Sequence, residues 1–185
     1  MTPLRAAALE LIRTKGVRRF DEPVQLASGA FSDVFVDVKR ALCAGDDLRV
    51  VCEAMAEVVR SAGVDFDAAG GLTLGADQFA HGIALVARRQ WFVIRKQPKG
   101  RGTNQWVEGA VLGPGVRVLL VDDAVTTGGS IKQAYERVIA EGAEVVFAMT
   151  TVDRGDVAGA WFRDHGVPYE PLVSYADLGL DPISA

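Results

Sequence analysis

VLLVDDAVTTGGSI, residues 118–131, carries an apolar run straight into a polar turn. Val116, Val118, Leu119, Leu120 and Val121 are nearly continuous in hydrophobicity, which suits a central parallel strand covered on both faces. Asp122 and Asp123 follow where this strand is expected to run out, and in open α/β sheets ligands bind outside the carboxyl ends of the strands. Ala124, Val125, Thr126, Thr127, Gly128, Gly129 and Ser130 then lead into an amphipathic stretch, Ile131, Ala134, Tyr135, Val138 and Ile139, which Gly142 ends. Small hydroxylated residues and glycines at a helix start leave backbone N–H groups open, and the helix dipole there favours a phosphate. The lysine of a Walker loop is missing, and two carboxylates stand before the cup. Two acids repel a bare polyphosphate but accept hydrogen bonds from vicinal hydroxyls or help to hold Mg²⁺. A ribose 5-phosphate suits both halves.

Outward from this string, strands and helices alternate. Ala143–Val152 is a second apolar strand ending in Asp153-Arg154-Gly155, Val157–Phe162 a short helix, and Tyr169–Val173 a last strand. Upstream, Val64–Ala69 reads as a short strand entering the glycine turn 70–75, Asp77–Arg89 as a helix, and Trp91–Ile94 as a buried strand. Leu48, Val51, Cys52, Met55, Val58 and Val59 recur at helical spacing up to Gly63. Repeated βαβ units favour a doubly wound, parallel α/β sheet. At the N-terminus, Thr2 as cap and Pro3 at the first helical position open a helix that Gly16 closes. Two short strands, Val24–Leu26 and Val34–Val38, form a hairpin in which alternation turns Asp37 and Lys39 to solvent. His81 reads as a packed or surface histidine.

The 185 residues are 49% hydrophobic and 24% charged, enough for one domain with a sizeable core. A net charge of −4 offers no overall basic field for nucleic acid, so any anion site is local. Cys43 and Cys52 with two histidines make no metal-ligand pattern. No signal core or membrane-spanning run is present, and the expectation is a cytoplasmic protein without membrane contact. Against this acidic background, residues 95–105 stand out: Arg95, Lys96, Lys99 and Arg101 crowd a stretch that Pro98, Gly100 and Gly102 keep irregular. A basic loop of this kind beside a sugar-phosphate cup suits a pyrophosphate.

The acid pair followed by T-T-G-x-S resembles the phosphoribosyl pyrophosphate (PRPP) signature of type I phosphoribosyltransferases. Five further stretches carry the resemblance to orotate phosphoribosyltransferases over nearly the whole chain. They are SGAFSDVFVDVKRAL (28–42), FVIRKQPKGRGTNQWVEG (92–109), TTVDRG (150–155), and GGLTLGAD (70–77) with ADLGLD (176–181). The resemblance implies a central, mostly parallel sheet flanked by helices, with an N-terminal hood and hairpin over residues 1–45 and a PRPP-binding core over 46–185. It implies a pentosyl-transferring glycosyltransferase of pyrimidine biosynthesis that makes orotidine 5′-phosphate and pyrophosphate from PRPP and orotate. By the same resemblance Asp122 and Asp123 face the ribose hydroxyls and residues 124–130 hold the 5-phosphate. Arg95, Lys96, Lys99 and Arg101 grip the pyrophosphate, and Lys99, Arg101, Asp122 and Asp123 are the implied catalytic residues. Thr126 and Arg154 bind orotate. Mg²⁺ is the implied cofactor, held mainly by PRPP and water with no direct protein ligand assigned, and a homodimer is implied in which loop 96–106 serves the neighbouring subunit. Arg101 stands where the family has a histidine, and it stays protonated near neutral pH. Ala27 stands where many members have a lysine. Two alternatives keep the PRPP site: a different nucleobase acceptor, which leaves Arg154 nothing to pair with, or a PRPP-binding regulatory paralogue.

Overall fold

A computed structural model describes residues 1–25, 29, 31–99 and 105–183. Six strands form one sheet: β3 (Ala68–Leu72), β4 (Gln90–Ile94), β5 (Val107–Gly109), β6 (Arg117–Val125), β7 (Glu144–Asp153) and β8 (Tyr169–Ser174), in the order β5-β4-β3-β6-β7-β8. All neighbours run parallel except β5, which returns antiparallel on β4. β5 spans only Val107–Gly109. Three residues with no apolar alternation carry too little pattern to announce an edge strand.

The apolar run of β6 divides between two cores because side chains alternate across a strand. Leu119 and Val121 pack into a cluster with residues of α1 (Pro3–Leu11), α3 (Gly45–Ser61) and α4 (Asp77–Ala87). Val118 and Leu120 face the opposite cluster with α5 (Gly129–Ala140) and α6 (Val157–Asp164). β6 runs on through Asp122 and Asp123 to Val125, still paired with β7 up to Val125 opposite Asp153. The acid pair therefore lies within the last turn of the ladder rather than beyond it.

β3 corrects the expected strand 64–69. It starts four residues later and includes Gly70 and Gly71, because a Cβ on either would sit 2.1 Å from the Phe92 carbonyl oxygen or 2.2 Å from that of Val121. These glycines serve close packing of three strands, and the ligand-facing turn begins only at Thr73.

The N-terminal segment packs on the same body. Thr2 caps α1, accepting from the Arg5 N–H at 3.3 Å, and Ala8 and Ile12 are buried against α3. After one wide helical turn, β1 (Val17–Gln25) and β2 (Phe31–Val36) make a two-stranded antiparallel sheet, with β1 much longer than expected. The expected continuation of β2 to Val38 is overturned. Asp37 accepts from the Arg40 N–H at 3.1 Å and caps a short helix, α2 (Val38–Ala41).

Candidate active site

A cleft of about 460 Å³ opens at the carboxyl edge of β3 and β6. One wall is the end of β2 and the start of α2, from Phe35 to Lys39. The floor is Asp122, Asp123 and Ala124, one side is the turn Leu72–Gly75, and Lys96, Thr126, Ser130, Arg154 and Ile183 complete the lining.

Asp122 is 3% exposed, and its Oδ1 accepts from the Asp123 N–H at 2.9 Å. Burial, then the adjacent Asp123 charge, push its carboxyl far above the usual carboxylate range, to about 8. The shift favours a proton on Asp122 and so lowers the negative charge that the site presents to an anionic ligand. Asp123 accepts from the Ala124 N–H at 2.8 Å through Oδ1, and its Oδ2 meets the Lys39 ammonium. Behind the pair, the buried Thr150 hydroxyl lies 3.3 and 3.2 Å from the carbonyls of Asp122 and Asp123. The turn 73–75 comes so near that a Cβ on Gly75 would stand 2.2 Å from Asp122 Oδ1.

α5 begins at the cup with no side-chain cap on its first N–H groups and no acid in its first turn. Those donors are available to an anion. Of the predicted cup, Ala124, Thr126 and Ser130 line the cleft, while Val125 is 3% exposed and turns into the α5–α6 core. The strand's continuation to Val125 is the reason: alternation sends that side chain inward, and it has only its backbone to offer. Thr127, Gly128 and Gly129 are likewise set back from the lining.

Arg154 is only 5% exposed. Its backbone is fixed by hydrogen bonds from its N–H to Val125 O at 2.7 Å and from Ile183 N–H to its carbonyl at 2.8 Å. One Nη1 donates to the Val34 carbonyl at 3.2 Å, and Nε is buried with no partner among the described residues. Burial lowers its pKa, with nearby Asp33 opposing; a guanidinium still remains charged at neutral pH. Asp153 is occupied elsewhere: it accepts from Tyr169 Oη at 2.7 Å and from the Gly155 N–H at 3.0 Å. A buried guanidinium whose Nε is unpaired among the described residues, beside an open cleft, is chemically suited to a planar anion.

Of the four loop cations, Lys96 lines the cleft. Arg95 and Lys99 instead approach Glu108 of β5 at 3.5 and 3.9 Å. Arg101 and Ala27 lie outside the described residues. Lys39 and Asp37, read from alternation as solvent-facing, belong to the cleft wall. An aspartate followed by Val-Lys-Arg-Ala is a helix-cap signal, and it outranks a period-2 reading that had only five residues to rest on.

The phosphoribosyl transferase domain family matches residues 47–164. Orotate phosphoribosyltransferase of Streptomyces coelicolor is 40% identical over 98% of this chain and 100% of its own length; that of Aquifex aeolicus is 36% identical over 94% and 97%. The chain belongs to the orotate phosphoribosyltransferase family. It is accordingly an enzyme of the pentosyl-transfer class. The crystal structure of the Mycobacterium tuberculosis orotate phosphoribosyltransferase in complex with PRPP superposes with a TM-score of 0.77 at 35% identity, covering 96% of this chain and all of that one. The family fold is thus the mixed, mostly parallel sheet with a separate hairpin found here.

Proposed function

We propose that this enzyme moves the 5-phosphoribosyl group of PRPP to a ring nitrogen of orotate, releasing pyrophosphate and giving orotidine 5′-phosphate for pyrimidine biosynthesis. The observation that carries the acceptor is Arg154. Its Nε, buried and unpartnered among the described residues, belongs to a side chain on the same cleft as the acid pair and the α5 cup, so a carboxylate on a planar ring meets a desolvated guanidinium. An uncharged purine or pyrimidine would leave that donor unsatisfied at a cost of about 1–3 kcal/mol or more.

In this reading the ribose hydroxyls meet Asp122 and Asp123, the 5-phosphate takes the N–H groups of the 124–130 turn, and Thr126 bridges phosphate and base. Lys96, with Arg95, Lys99 and Arg101, meets the pyrophosphate. The transition state has oxocarbenium character at the ribose C1 carbon, so no protein nucleophile is required. The chain contributes orientation, exclusion of water and fixed cations beside the departing pyrophosphate. Among the described residues no group of three metal-ligating side chains exists, and one of the two cleft carboxyls favours its protonated form. That donor set suits a Mg²⁺ ion carried mainly by the donor's own oxygens. Such an ion supplies charge neutralisation of the pyrophosphate.

A homodimer is part of the same proposal. Leu85, Trp91 and Val111 are exposed, and His81, one helical turn before Leu85, packs against Trp91 with ring centroids 4.4 Å apart and planes tilted by 49°. An apolar face on α4 and β4 calls for a partner, and loop 96–106 starts from the end of β4. Division into a hood, 1–45, and a PRPP-binding core, 46–185, belongs here too, as does a cytoplasmic location; no helix among the described residues is long and apolar enough to cross a membrane.

The deciding assay follows the ultraviolet absorbance of orotate with PRPP and Mg²⁺, beside uracil, adenine and hypoxanthine. Turnover of orotate alone is expected. Turnover of another base alone would remove Arg154 from the acceptor role, and PRPP binding without any turnover would favour a regulatory paralogue.

A further inference from the structure

Three cations line the cleft among the described residues, Lys39, Lys96 and Arg154, and Lys39 has no part in the roles above. It comes from the hood side, on α2, opposite the loop that supplies Lys96. The placement of α2 is firm: Asp37 caps it, and Val38, Ala41 and Leu42 are buried in the main core. From this fixed base the Lys39 ammonium reaches Asp123 Oδ2, while Asp123 Oδ1 is taken by the Ala124 N–H. Both oxygens of the carboxylate that is to receive a ribose hydroxyl are therefore engaged in the free protein. The lysine side chain remains half exposed, against 18% for that of Asp123, so the ammonium is the member of the pair with room to move.

A ribose hydroxyl arriving at Oδ2 competes with the ammonium for the same lone pairs. Lysine has three donors on a flexible stem, and the incoming donor brings several phosphate oxygens into the same cleft. Arg95 and Lys99 are held at Glu108 on the far side. We propose that Lys39 is a further PRPP-binding residue, which holds Asp123 in the free enzyme and passes to a phosphate oxygen of the donor when the ribose hydroxyl takes its place. The inference rests on the PRPP reading above. It predicts a selective effect on the donor, since the hydrogen bond and ion pair of Lys39 go to Asp123, which is to hold the ribose.

The test compares Lys39→Met and Lys39→Arg with wild type, varying PRPP and orotate separately in steady state and measuring PRPP binding by calorimetry. Lys39→Met is expected to raise the KM for PRPP and weaken its binding tenfold or more, with the KM for orotate within twofold. Lys39→Arg restores most of the loss, and both variants keep the wild-type circular dichroism and melting temperature. Donor binding like wild type in Lys39→Met, equal losses for both substrates, or no rescue by arginine overturns the role of Lys39 while leaving the function intact. Failure of the wild type itself to bind PRPP overturns the reading of the function and this inference with it.

Discussion

Asp122 shows how far a single side chain's chemistry departs from its type. A carboxyl whose folded pKa is raised binds more protons in the folded than in the unfolded state between about pH 4 and pH 8, so stability falls as pH rises through that window and levels above it. The slope from this one group is at most about 1.4 kcal/mol per pH unit. Asp122→Asn removes the titration but keeps the shape. Urea denaturation of this variant from pH 5 to 8 should show a flatter profile than wild type, and parallel profiles would refute the buried, protonated Asp122. Arg154 is the second such residue. Arg154→Lys keeps the charge and loses the planar fork, so the KM for orotate is expected to rise at least tenfold, roughly 1.4 kcal/mol, with the KM for PRPP nearly unchanged. Equal KM values in the two enzymes would leave the acceptor to another group.

The elements position these groups by contacts that single substitutions can break. The turn after β3 passes so close to the acid pair that Gly75→Ala must displace either the turn or Asp122. A loss of about a hundredfold in kcat/KM for PRPP is expected, because misplacement by about 1 Å costs that much. Stopped assays at varied PRPP would reveal it, and wild-type rates would mean that the turn moves freely. The strand end of β7 is held by Tyr169 of β8 through Asp153. Burial raises the pKa of both groups, and Tyr169→Phe strands a buried acceptor at a cost of about 1–3 kcal/mol. Denaturation at pH 7 measures it; a change within about 0.5 kcal/mol would show that Gly155 alone satisfies Asp153.

Assembly is tested by complementation. If loop 96–106 serves the neighbour, mixing Lys99→Ala with an Asp122→Asn, Asp123→Asn double variant rebuilds one intact site per heterodimer. Half of the dimers are then mixed, and about a quarter of wild-type activity returns. No recovery after subunit exchange would place the loop over its own cleft.

Much of this enzyme was legible in its amino acids. The apolar run 118–121 made β6 a central strand because only a strand buried on both faces can dispense with polar alternation. The acid pair and T-T-G-x-S marked the ligand edge because helix starts and strand ends are where a sheet leaves polar groups unpaired. Other features came only with the third dimension. Gly70 and Gly71 read as a turn yet lie in β3, since the reason for glycine is the approach of Phe92 and Val121 from neighbouring strands. Lys39 read as surface, 84 residues away along the chain from the Asp123 it meets. Local periodicity records which way a side chain leaves its own element, and so announced β6, β7, β8 and the longer helices. Which distant group waits there depends on how elements pack, and that packing alone set the burial of Arg154, the raised pKa of Asp122 and the reach of Lys39.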